Sequence, residues 1–309
     1  MFVTDCRGNM LEISINSLST MRGCPMKYKW HYIDGYTPYK KSHHITLGSA
    51  IHSAFDMYYN NFSDAAVMAY AKNQINEEIS KASPTEAEDL TLVKYIMVGM
   101  WANFPKDLWT FAKIDPELKF RINLIDDIWF VGRIDGLVED ESGKLWVREL
   151  KTTSMSFEQF ERRSRTTSQG TGYVWAMRKL GYPVVGMMYD FIKKPLLRKK
   201  VQDNVDSFGL RIVEDYKSRP EFYFKRHFSY RNEEELELFE QDLIKTALEI
   251  KQRSKENNWC RNQDQCWNFN AECPYLKICF QKKPDPLTIQ VYFEHKPREH
   301  KGGDKDGSR

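Results

Sequence analysis

Three charged residues in the middle of the chain have the types and spacing needed for metal-assisted hydrolysis of a phosphodiester. Glu149 and Lys151 flank one leucine in "ELKTTS", and Asp135 precedes them in "GRIDGLV". Carboxylate oxygens bind Mg²⁺ or Mn²⁺, and an ammonium beside them can position the attacking water or stabilise the charge that develops on the phosphoryl group. Asp135, Glu149 and Lys151 are therefore the candidate catalytic residues.

A turn between these residues predicts how they meet. The sequence "DESGK" is typical of a hairpin with a three-residue loop, in which Gly143 takes the left-handed backbone conformation that other residues resist. This loop pairs Asp140 with Lys144. Counting outward along both strands then sets Asp135 opposite Glu149, with the two side chains about 5 Å apart.

Two opposed carboxylates destabilise a sheet unless something compensates their charge. A divalent cation, a shared proton or a different register would each remove the conflict. Strand alternation also puts Lys151 on the face of Glu149 and turns Leu150 away. An ordinary surface hairpin could carry the same three charges, so the surrounding sequence has to support the metal site.

The elements around these residues follow an α/β pattern. Apolar residues recur at helical spacing before the acids and again after them, and segments rich in β-branched and aromatic residues lie between. We expect a central mixed sheet flanked by helices, with a helical insertion over 63–112. The predicted strands are "ELKFRINLI", "IWFVGRIDGLVED", "KLWVREL", "VVGMMYDFIKK" and "FYFKRHFSY", and the predicted helices include "SFEQFERRSRTTSQGTGYVWAMRKLG" and residues 233–255.

The segment "GRIDGLV…VRELKTTS" resembles motifs II and III of the PD-(D/E)XK nuclease superfamily, and specifically its RecB-like branch. That resemblance implies a restriction-endonuclease-like core. The branch carries an upstream histidine in a pattern similar to "LGSAIHSAFD", which implies His52 as a metal ligand beside Asp135 and Glu149. We expect the backbone carbonyl of Leu150 to complete the ligand set.

The same branch carries a Gln-x-x-x-Tyr helix after the catalytic strand. "QGTGY" supplies Gln169 and Tyr173 at that spacing, and one helical face would present both. The resemblance therefore implies that these two side chains bind DNA. A helix start interrupted by Gly170 and Gly172 would also produce this pattern.

Four of the six cysteines are crowded into one C-terminal segment: Cys260, Cys266, Cys273 and Cys279. Thiolates at such spacings bind soft metals, so zinc and an iron–sulfur cluster are both chemically reasonable. The segment has no C-x-x-C pair, which weakens the case for a zinc ribbon. Free thiols remain a further alternative.

The cysteine pattern is also similar to that of the CRISPR-adaptation and AddB-type iron–sulfur nucleases. These hold a [4Fe–4S] cluster with one cysteine far towards the N-terminus and three near the C-terminus. The resemblance implies Cys24, Cys266, Cys273 and Cys279 as ligands, with zinc as the alternative metal. The spacing of the C-terminal cysteines departs from that of the family, and Cys260 competes with Cys24 for a place in the set.

Basic and aromatic residues alternate in three stretches, "KYKWHY" (27–32), "RRSR" (162–165) and "KKPLLRKK" (193–200). Such stretches are typical of a groove that follows phosphates and stacks bases, although solvated charged faces have the same composition. The net charge of +3 favours neither a nucleic-acid-binding groove nor a solvated charged surface.

The domain prediction follows from these assignments. We expect a single RecB-like nuclease domain over 1–285, in which the cysteine segment 258–281 is joined to Cys24. Residues 286–309 become polar and glycine-rich, so we expect a partly disordered C-terminal tail.

The leading hypothesis is an Mg²⁺- or Mn²⁺-dependent DNA nuclease. We expect an exonuclease that acts on DNA with a free end or single-stranded DNA in recombination, repair or phage DNA metabolism, possible partners being recombination proteins or a helicase. The alternative is a catalytically inactive nucleic-acid-binding module with a structural metal cluster. The chain shows no apolar segment that could span a membrane and no signal peptide. We therefore expect a cytoplasmic location in a bacterial or phage-infected cell.

Overall fold

The computed structural model describes residues 11–39, 43–105, 113–268, 271–281 and 283–295. Its strands are β1 (Leu11–Ile13), β2 (Tyr36–Pro38), β3 (Lys113–Ile125), β4 (Ile128–Glu139), β5 (Leu145–Thr153), β6 (Val184–Lys193), β7 (Phe224–Tyr230), β8 (Trp267–Asn268), β9 (Ala271–Glu272) and β10 (Phe293–His295). Its α-helices are α1 (Ile15–Gly23), α2 (Pro25–Tyr28), α3 (His43–Tyr59), α4 (Asp64–Ser80), α5 (Pro84–Asn103), α6 (Phe157–Ser164), α7 (Ser168–Lys179), α8 (Val205–Ser218), α9 (Pro220–Tyr223), α10 (Glu233–Glu256), α11 (Leu276–Cys279) and α12 (Pro286–Tyr292).

The main sheet has the strand order β1-β4-β5-β6-β7, and β3 pairs with β4 as well. Strands β1 and β4 are parallel, as are β5 and β6, whereas β4 with β5 and β6 with β7 are antiparallel. This mixed sheet with flanking helices confirms the predicted α/β, restriction-endonuclease-like fold. The five strands predicted from composition all lie in it.

The chain divides into two compact units, each assembled from separate segments. The first contains Met1–Lys40, Phe120–Gly132 and Glu237–Arg309, and the second contains Lys41–Lys119 and Arg133–Leu236. Strand β4 and helix α10 each continue from one unit into the other. Because neither unit is a continuous piece of sequence, this division does not decide the predicted single domain over 1–285, which stays a prediction.

The second unit has helices on both faces of its strands. On one face, Leu150 of β5 and Ile192 of β6 pack in a core with side chains from α3, α4, α5 and α8. On the other face, Phe160 of α6 stacks against Phe191 of β6, with ring centroids 4.3 Å apart. Successive residues of β5 therefore point alternately towards the layer that contains α3, α4, α5 and α8 and towards the layer that contains α6.

Helix boundaries in this unit follow their capping residues. Helix α5 begins after Ser83, whose side chain and that of Glu86 form a reciprocal capping box, with Pro84 in the first turn. The single helix predicted around 156–181 is wrong, because α6 ends at Ser164 and α7 starts anew. Thr167 caps the second helix by accepting a hydrogen bond from the Gly170 N–H.

The first unit contains β1 beside the start of β4, and Phe130 of β4 lies between Phe120 and Phe239 with ring centroids 5.3 and 6.2 Å away. Regular structure extends beyond residue 285. Helix α12 is followed by β10, which pairs antiparallel with β2, so the segment 286–295 of the predicted, partly disordered tail has regular structure, and the domain boundary at residue 285 stays a prediction. Residues 296–309 lie outside the described residues. No helix in the described part of the chain is long and apolar enough to cross a membrane.

Candidate functional site

The hairpin between β4 and β5 fixes the register of the strands that carry the predicted acids. Gly143, the last residue of its loop, has a φ of +79°, in the left-handed region that favours glycine. The observed ladder runs as far as Gly136 opposite Arg148. The next step outward sets Asp135 opposite Glu149, so the predicted register is confirmed.

The side chains of this register converge as expected. Asp135 Oδ2 accepts a hydrogen bond from the Leu150 backbone N–H over 2.8 Å. Lys151 Nζ lies 2.6 Å from Glu149 Oε1, and the Glu149 side chain is buried. Leu150 points the other way into the hydrophobic core. Two acids and an ammonium therefore lie together on one face of the hairpin.

His52 reaches the same place from helix α3. Its Nδ1 lies 3.4 Å from Asp135 Oδ2. Burial disfavours the charged imidazole, but the hydrogen bond to Asp135 and the charges of Asp135 and Glu149 outweigh it and raise the pKa of His52. Burial likewise acts against ionised Asp135, yet His52 and the Leu150 N–H lower the pKa of this carboxyl. The structure thus brings together all four side chains predicted to form the metal and catalytic site.

The two acids differ in their electrostatic environment. Burial raises the pKa of Glu149, and the negative charge of Asp135 raises it further, although Lys151 opposes both effects. The pKa of Lys151 is raised despite its burial, because Glu149 and Asp135 stabilise its charge. The like-charge conflict predicted for this pair is therefore present. A bound divalent cation would favour the ionised form of both acids.

Gln169 and Tyr173 lie against the catalytic groups. Gln169 Nε2 donates to Glu149 Oε1 over 3.0 Å, and its Oε1 accepts from Lys151 Nζ over 2.7 Å. The same Nε2 lies 3.3 Å from the Tyr173 hydroxyl, which accepts a hydrogen bond from it. One amide therefore holds both Glu149 and Lys151 in place. The predicted contact of Gln169 and Tyr173 with DNA stays a prediction.

Two further acids that the sequence reasoning missed lie near the site. Asp56 is one turn after His52 on α3, and its side chain hydrogen-bonds with Glu117. Burial, Glu117 and Asp135 together raise the pKa of Asp56 to about 7. Glu117 has a φ of +45° and lies 2.8 Å from Arg133. The i,i+4 spacing in "HSAFD" could have indicated Asp56, whereas no local signal marks Glu117.

A buried charge network behind the site was also missed. Arg148 and Asp190 are both nearly inaccessible, and Arg148 Nε lies 2.8 Å from Asp190 Oδ2. Arg226 Nε lies 2.8 Å from the other oxygen of Asp190. The Arg148 guanidinium also lies 4.3 Å from the ring centroid of Tyr59 and 5.5 Å from that of Phe55, both on α3. Arg148 thus contacts the helix that carries His52, and its charge contributes to the lowered pKa of Asp135.

The predicted cysteine ligands lie in the first unit and share a cavity. Cys24 and Cys279 are buried, and Cys266 and Cys273 are partly buried. All four line one small cavity. Cys260 is exposed and is not part of the lining. The geometry therefore favours Cys24 over Cys260 as the fourth member of the set.

Polar groups around the cavity face the sulfur atoms. The Asn262 backbone N–H lies 3.4 Å from Cys24 Sγ. Burial raises the pKa of the Cys279 thiol, while Arg261 and Trp30 act in the opposite direction by hydrogen bonding. The buried indole N–H of Trp30 has no oxygen or nitrogen partner among the described residues. Such N–H groups would stabilise thiolate or sulfide charge.

Within the described ranges, no three His, Cys, Asp or Glu side chains have the arrangement of a metal site. The five cysteines in those ranges are free thiols.

The basic stretches occupy different parts of the chain. "KYKWHY" (27–32) belongs to the first unit, where Lys29 is paired with Asp34 and Trp30 is buried. "RRSR" (162–165) closes α6 and "KKPLLRKK" (193–200) follows β6, both in the second unit. The DNA-binding groove that they indicate stays a prediction.

A mixed sheet that presents Asp135 opposite Glu149, with Lys151 on the same face, has the architecture of the restriction-endonuclease-like class of folds. The family model of the PD-(D/E)XK nuclease superfamily matches residues 12–280. The chain belongs to this superfamily, and its substrate class is nucleic acid.

Comparison with solved structures finds distant similarity. A proposed exonuclease from Eubacterium rectale is 12% identical, with a TM-score of 0.49, and the alignment covers 91% of this chain and 92% of that protein. SSO0001 is also 12% identical, with a TM-score of 0.31 and coverage of 77% and 75%. No protein of curated function matches the sequence.

Proposed function

We propose that the protein is a DNA nuclease that requires Mg²⁺ or Mn²⁺. The observation that carries the proposal is the convergence of Asp135, Glu149, Lys151 and His52, with Asp135 bonded to His52 and Glu149 bonded to Lys151. Carboxylate oxygens and an imidazole nitrogen form a donor set that suits Mn²⁺, and the carboxylates alone suit Mg²⁺. The raised pKa of Glu149 beside a second acid fits a site that a cation completes.

His52, Asp135, Glu149 and the Leu150 carbonyl would hold the metal. When bound, the cation lowers the pKa of a water molecule and neutralises charge on the phosphoryl oxygens. Glu149 is buried, so little solvent water reaches its carboxylate. Its contacts with Lys151 and Gln169 hold the carboxylate in one orientation. The Leu150 N–H holds Asp135 Oδ2 in a fixed position beside it.

Lys151 supplies the positive charge that the reaction requires. Its ammonium lies between Glu149 Oε1 and Gln169 Oε1, so the direction of its remaining N–H bonds is restricted. A fixed ammonium can orient the attacking water or stabilise the developing negative charge without reorganising during the reaction. In this proposal, Gln169 positions Glu149 and Lys151, in addition to its predicted contact with DNA.

We further propose that the substrate is a DNA end and that cleavage is exonucleolytic, in recombination, repair or phage DNA metabolism. Support comes from the RecB-like features of the sequence, which are an upstream histidine at His52 and the Gln169/Tyr173 pair. The contacts of these residues with the acids make the two features parts of one site.

We also propose a [4Fe–4S] cluster bound by Cys24, Cys266, Cys273 and Cys279. Four thiols on one cavity match the ligand number of such a cluster. Trp30 and Cys279 line the same cavity, so the buried Trp30 N–H is a suitable donor to cluster or thiolate sulfur. Zinc is the competing metal for the same thiols.

The decisive experiment for the nuclease is a cleavage assay on linear DNA with and without Mg²⁺ or Mn²⁺. Lys151→Ala should lower the cleavage rate by about a thousandfold or more, because the charge stabilised in the transition state loses its fixed counter-charge. Lys144→Ala, on the loop side of the same strand, is the matched control and should cleave at the parent rate.

Two results would contradict the proposal. If Lys151→Ala degrades DNA at the parent rate, the catalytic role assigned to Lys151 is wrong. A wild-type protein that bound DNA but did not cleave it with either metal would support the inactive binding module instead.

A further inference from the structure

The start of α7 is held by one buried guanidinium, that of Arg231, which follows β7 and is 3% exposed. Its Nε donates to Thr171 Oγ1 over 3.0 Å at the start of α7, and its Nη2 donates to the Ser164 carbonyl over 2.6 Å at the end of α6. Its Nη1 donates to Ser229 Oγ over 2.7 Å and to the Tyr230 carbonyl over 2.8 Å, both at the end of β7. Arg231 therefore fastens α7 to the sheet and to the helix before it.

A glycine lets α7 lie closer to β6 than any side chain would allow. A Cβ at Gly170 would lie 2.4 Å from Tyr189 Oη and 3.0 Å from Arg231 Nη2. The first distance is far inside van der Waals contact. Tyr189 cannot move aside, because it is 2% exposed and its ring meets that of Phe160 edge-on, with centroids 5.2 Å apart. A residue larger than glycine would therefore push α7 away from the strand.

This close contact lies beside the catalytic groups. Tyr189 of β6 is the register partner of Glu149 of β5, and paired residues of parallel strands point to the same face. Gln169 directly precedes Gly170, and its amide contacts Glu149 over 3.0 Å and Lys151 over 2.7 Å. A shift of α7 by about 1 Å would lengthen both contacts beyond hydrogen-bond distance.

We propose that Arg231 and Gly170 are positioning residues for cleavage, because together they set where Gln169 lies. The inference rests on the proposed nuclease activity and adds to it two residues that act through Gln169. Arg231 holds α7 against the sheet, and Gly170 provides the space that this short distance requires. Gln169 then keeps the Glu149 carboxylate and the Lys151 ammonium in the orientation that the reaction needs.

The test is a double-mutant cycle with Gln169. The value measured is kcat on linear DNA at saturating DNA and Mg²⁺, at a temperature where urea unfolding shows every variant to be folded. Gly170→Ala should lower kcat about tenfold, because a small displacement of a positioning group slows the reaction strongly. Gln169→Ala should lower kcat at least as much, and adding Gly170→Ala to it should cause no further loss. Arg231→Met should show the same dependence on Gln169.

Removing the atom that the new methyl group would strike provides a rescue. Tyr189→Phe deletes the hydroxyl and should cleave at about the parent rate, and Gly170→Ala combined with it should regain most of the lost kcat. Gly99→Ala is the matched control, because a Cβ there would lie 2.9 Å from Tyr216 Cδ2, where α5 packs on α8. It should lower the free energy of unfolding and leave kcat unchanged.

The cycle separates failure of this inference from failure of the proposed function. If Gly170→Ala cleaves at the parent rate, or if its effect adds to that of Gln169→Ala, the positioning role is wrong although the nuclease stands. If the wild type cleaves DNA with neither Mg²⁺ nor Mn²⁺, the proposed function itself fails. Should Gly170→Ala or Arg231→Met not fold, Thr171→Val replaces it. This variant loses the hydroxyl that accepts from Arg231 and should lower kcat several-fold, with no further loss in the Gln169→Ala background.

Discussion

The acidic region and the cysteine region reach their present geometry in different ways. In the acidic region, His52 lies 3.4 Å from Asp135. Beside this pair, Glu149, Lys151 and Gln169 contact one another over 2.6–3.0 Å. In the cysteine region the four predicted ligands line a common cavity as free thiols. Direct contacts between the predicted site residues arrange the first set, whereas the second set shares a cavity and contacts neighbouring polar groups such as the Asn262 N–H.

Sequence separation explains this difference. Asp135 and Glu149 belong to one hairpin, so a short turn determines their positions. Cys24 and Cys279 come from opposite ends of the chain, and closing such a long loop has an entropic cost that a bound cluster can offset. We therefore expect the acidic region to keep its structure without metal, and the cysteine region to depend on the proposed cluster.

Replacing Cys24 should have the largest effect and tests this dependence directly. Cys24→Ser removes one of four proposed ligands, so the purified protein should lose its iron and several kcal/mol of free energy of unfolding. The measurements are iron and sulfide content, the visible spectrum of protein prepared without oxygen, and denaturant unfolding. The parent protein should be brown and absorb blue light.

Cys260→Ser is the matched control and should leave iron content and stability unchanged, because Cys260 lies outside the cavity lining. If Cys260→Ser loses its iron and Cys24→Ser keeps it, Cys260 is the fourth ligand in place of Cys24. A colourless parent protein that contains zinc would overturn the iron–sulfur proposal.

Arg148→Met should have a smaller effect and tests whether the polypeptide alone arranges the acidic region. The substitution leaves buried Asp190 with one arginine and removes the guanidinium from the Phe55 and Tyr59 rings. Breaking a buried ion pair costs about 3 kcal/mol of unfolding free energy, which urea unfolding would detect. Cleavage should also weaken because α3 carries His52.

An exposed ion pair gives the comparison for that variant. Lys245 pairs with Asp242 at the surface, so Lys245→Met should change the free energy of unfolding by less than about 1 kcal/mol. Equal stability of Arg148→Met and the wild type would show that the buried pair does not hold α3 in place.

The smallest predicted effect concerns pH and the metal-free protein. Burial and Glu117 raise the pKa of Asp56 from 3.8 to about 7 in the folded chain. The folded state therefore binds this proton more tightly than the unfolded state, and stability falls as pH rises between these two pKa values. With a chelator present, raising the pH from about 5 to about 8 should cost the wild type about 1–2 kcal/mol, a value reduced for partial exposure.

Asp56→Asn should flatten this dependence, because an amide does not titrate. Urea unfolding at several pH values measures it. An unchanged slope in the variant would assign the pH dependence to another group.

Local sequence signals predicted the acidic site, and nonlocal contacts account for what they missed. The turn at Gly143 fixed the register because a hairpin of known loop length has one pairing. The Arg148–Asp190–Arg226 network joins three strands, and Asp56 meets Glu117 from a different element. No spacing along the chain encodes such pairs.

The errors at the level of elements have equally physical causes. The break between α6 and α7 depends on one capping side chain, Thr167, inside a sequence of otherwise helical character. The polar, glycine-rich composition of residues 296–309 led to a predicted tail that also included the more apolar segment 286–295. Its order comes from pairing with β2 and from Phe293, which is buried beside Tyr275.

That pairing determines where the chain can safely be shortened. Strand β10 covers an edge of β2, and Phe293 stacks on Tyr275 with ring centroids 5.5 Å apart. A gene truncated after residue 285 would expose a strand edge and an aromatic surface together, a combination that promotes aggregation. A truncation or fusion should therefore keep β10 in place.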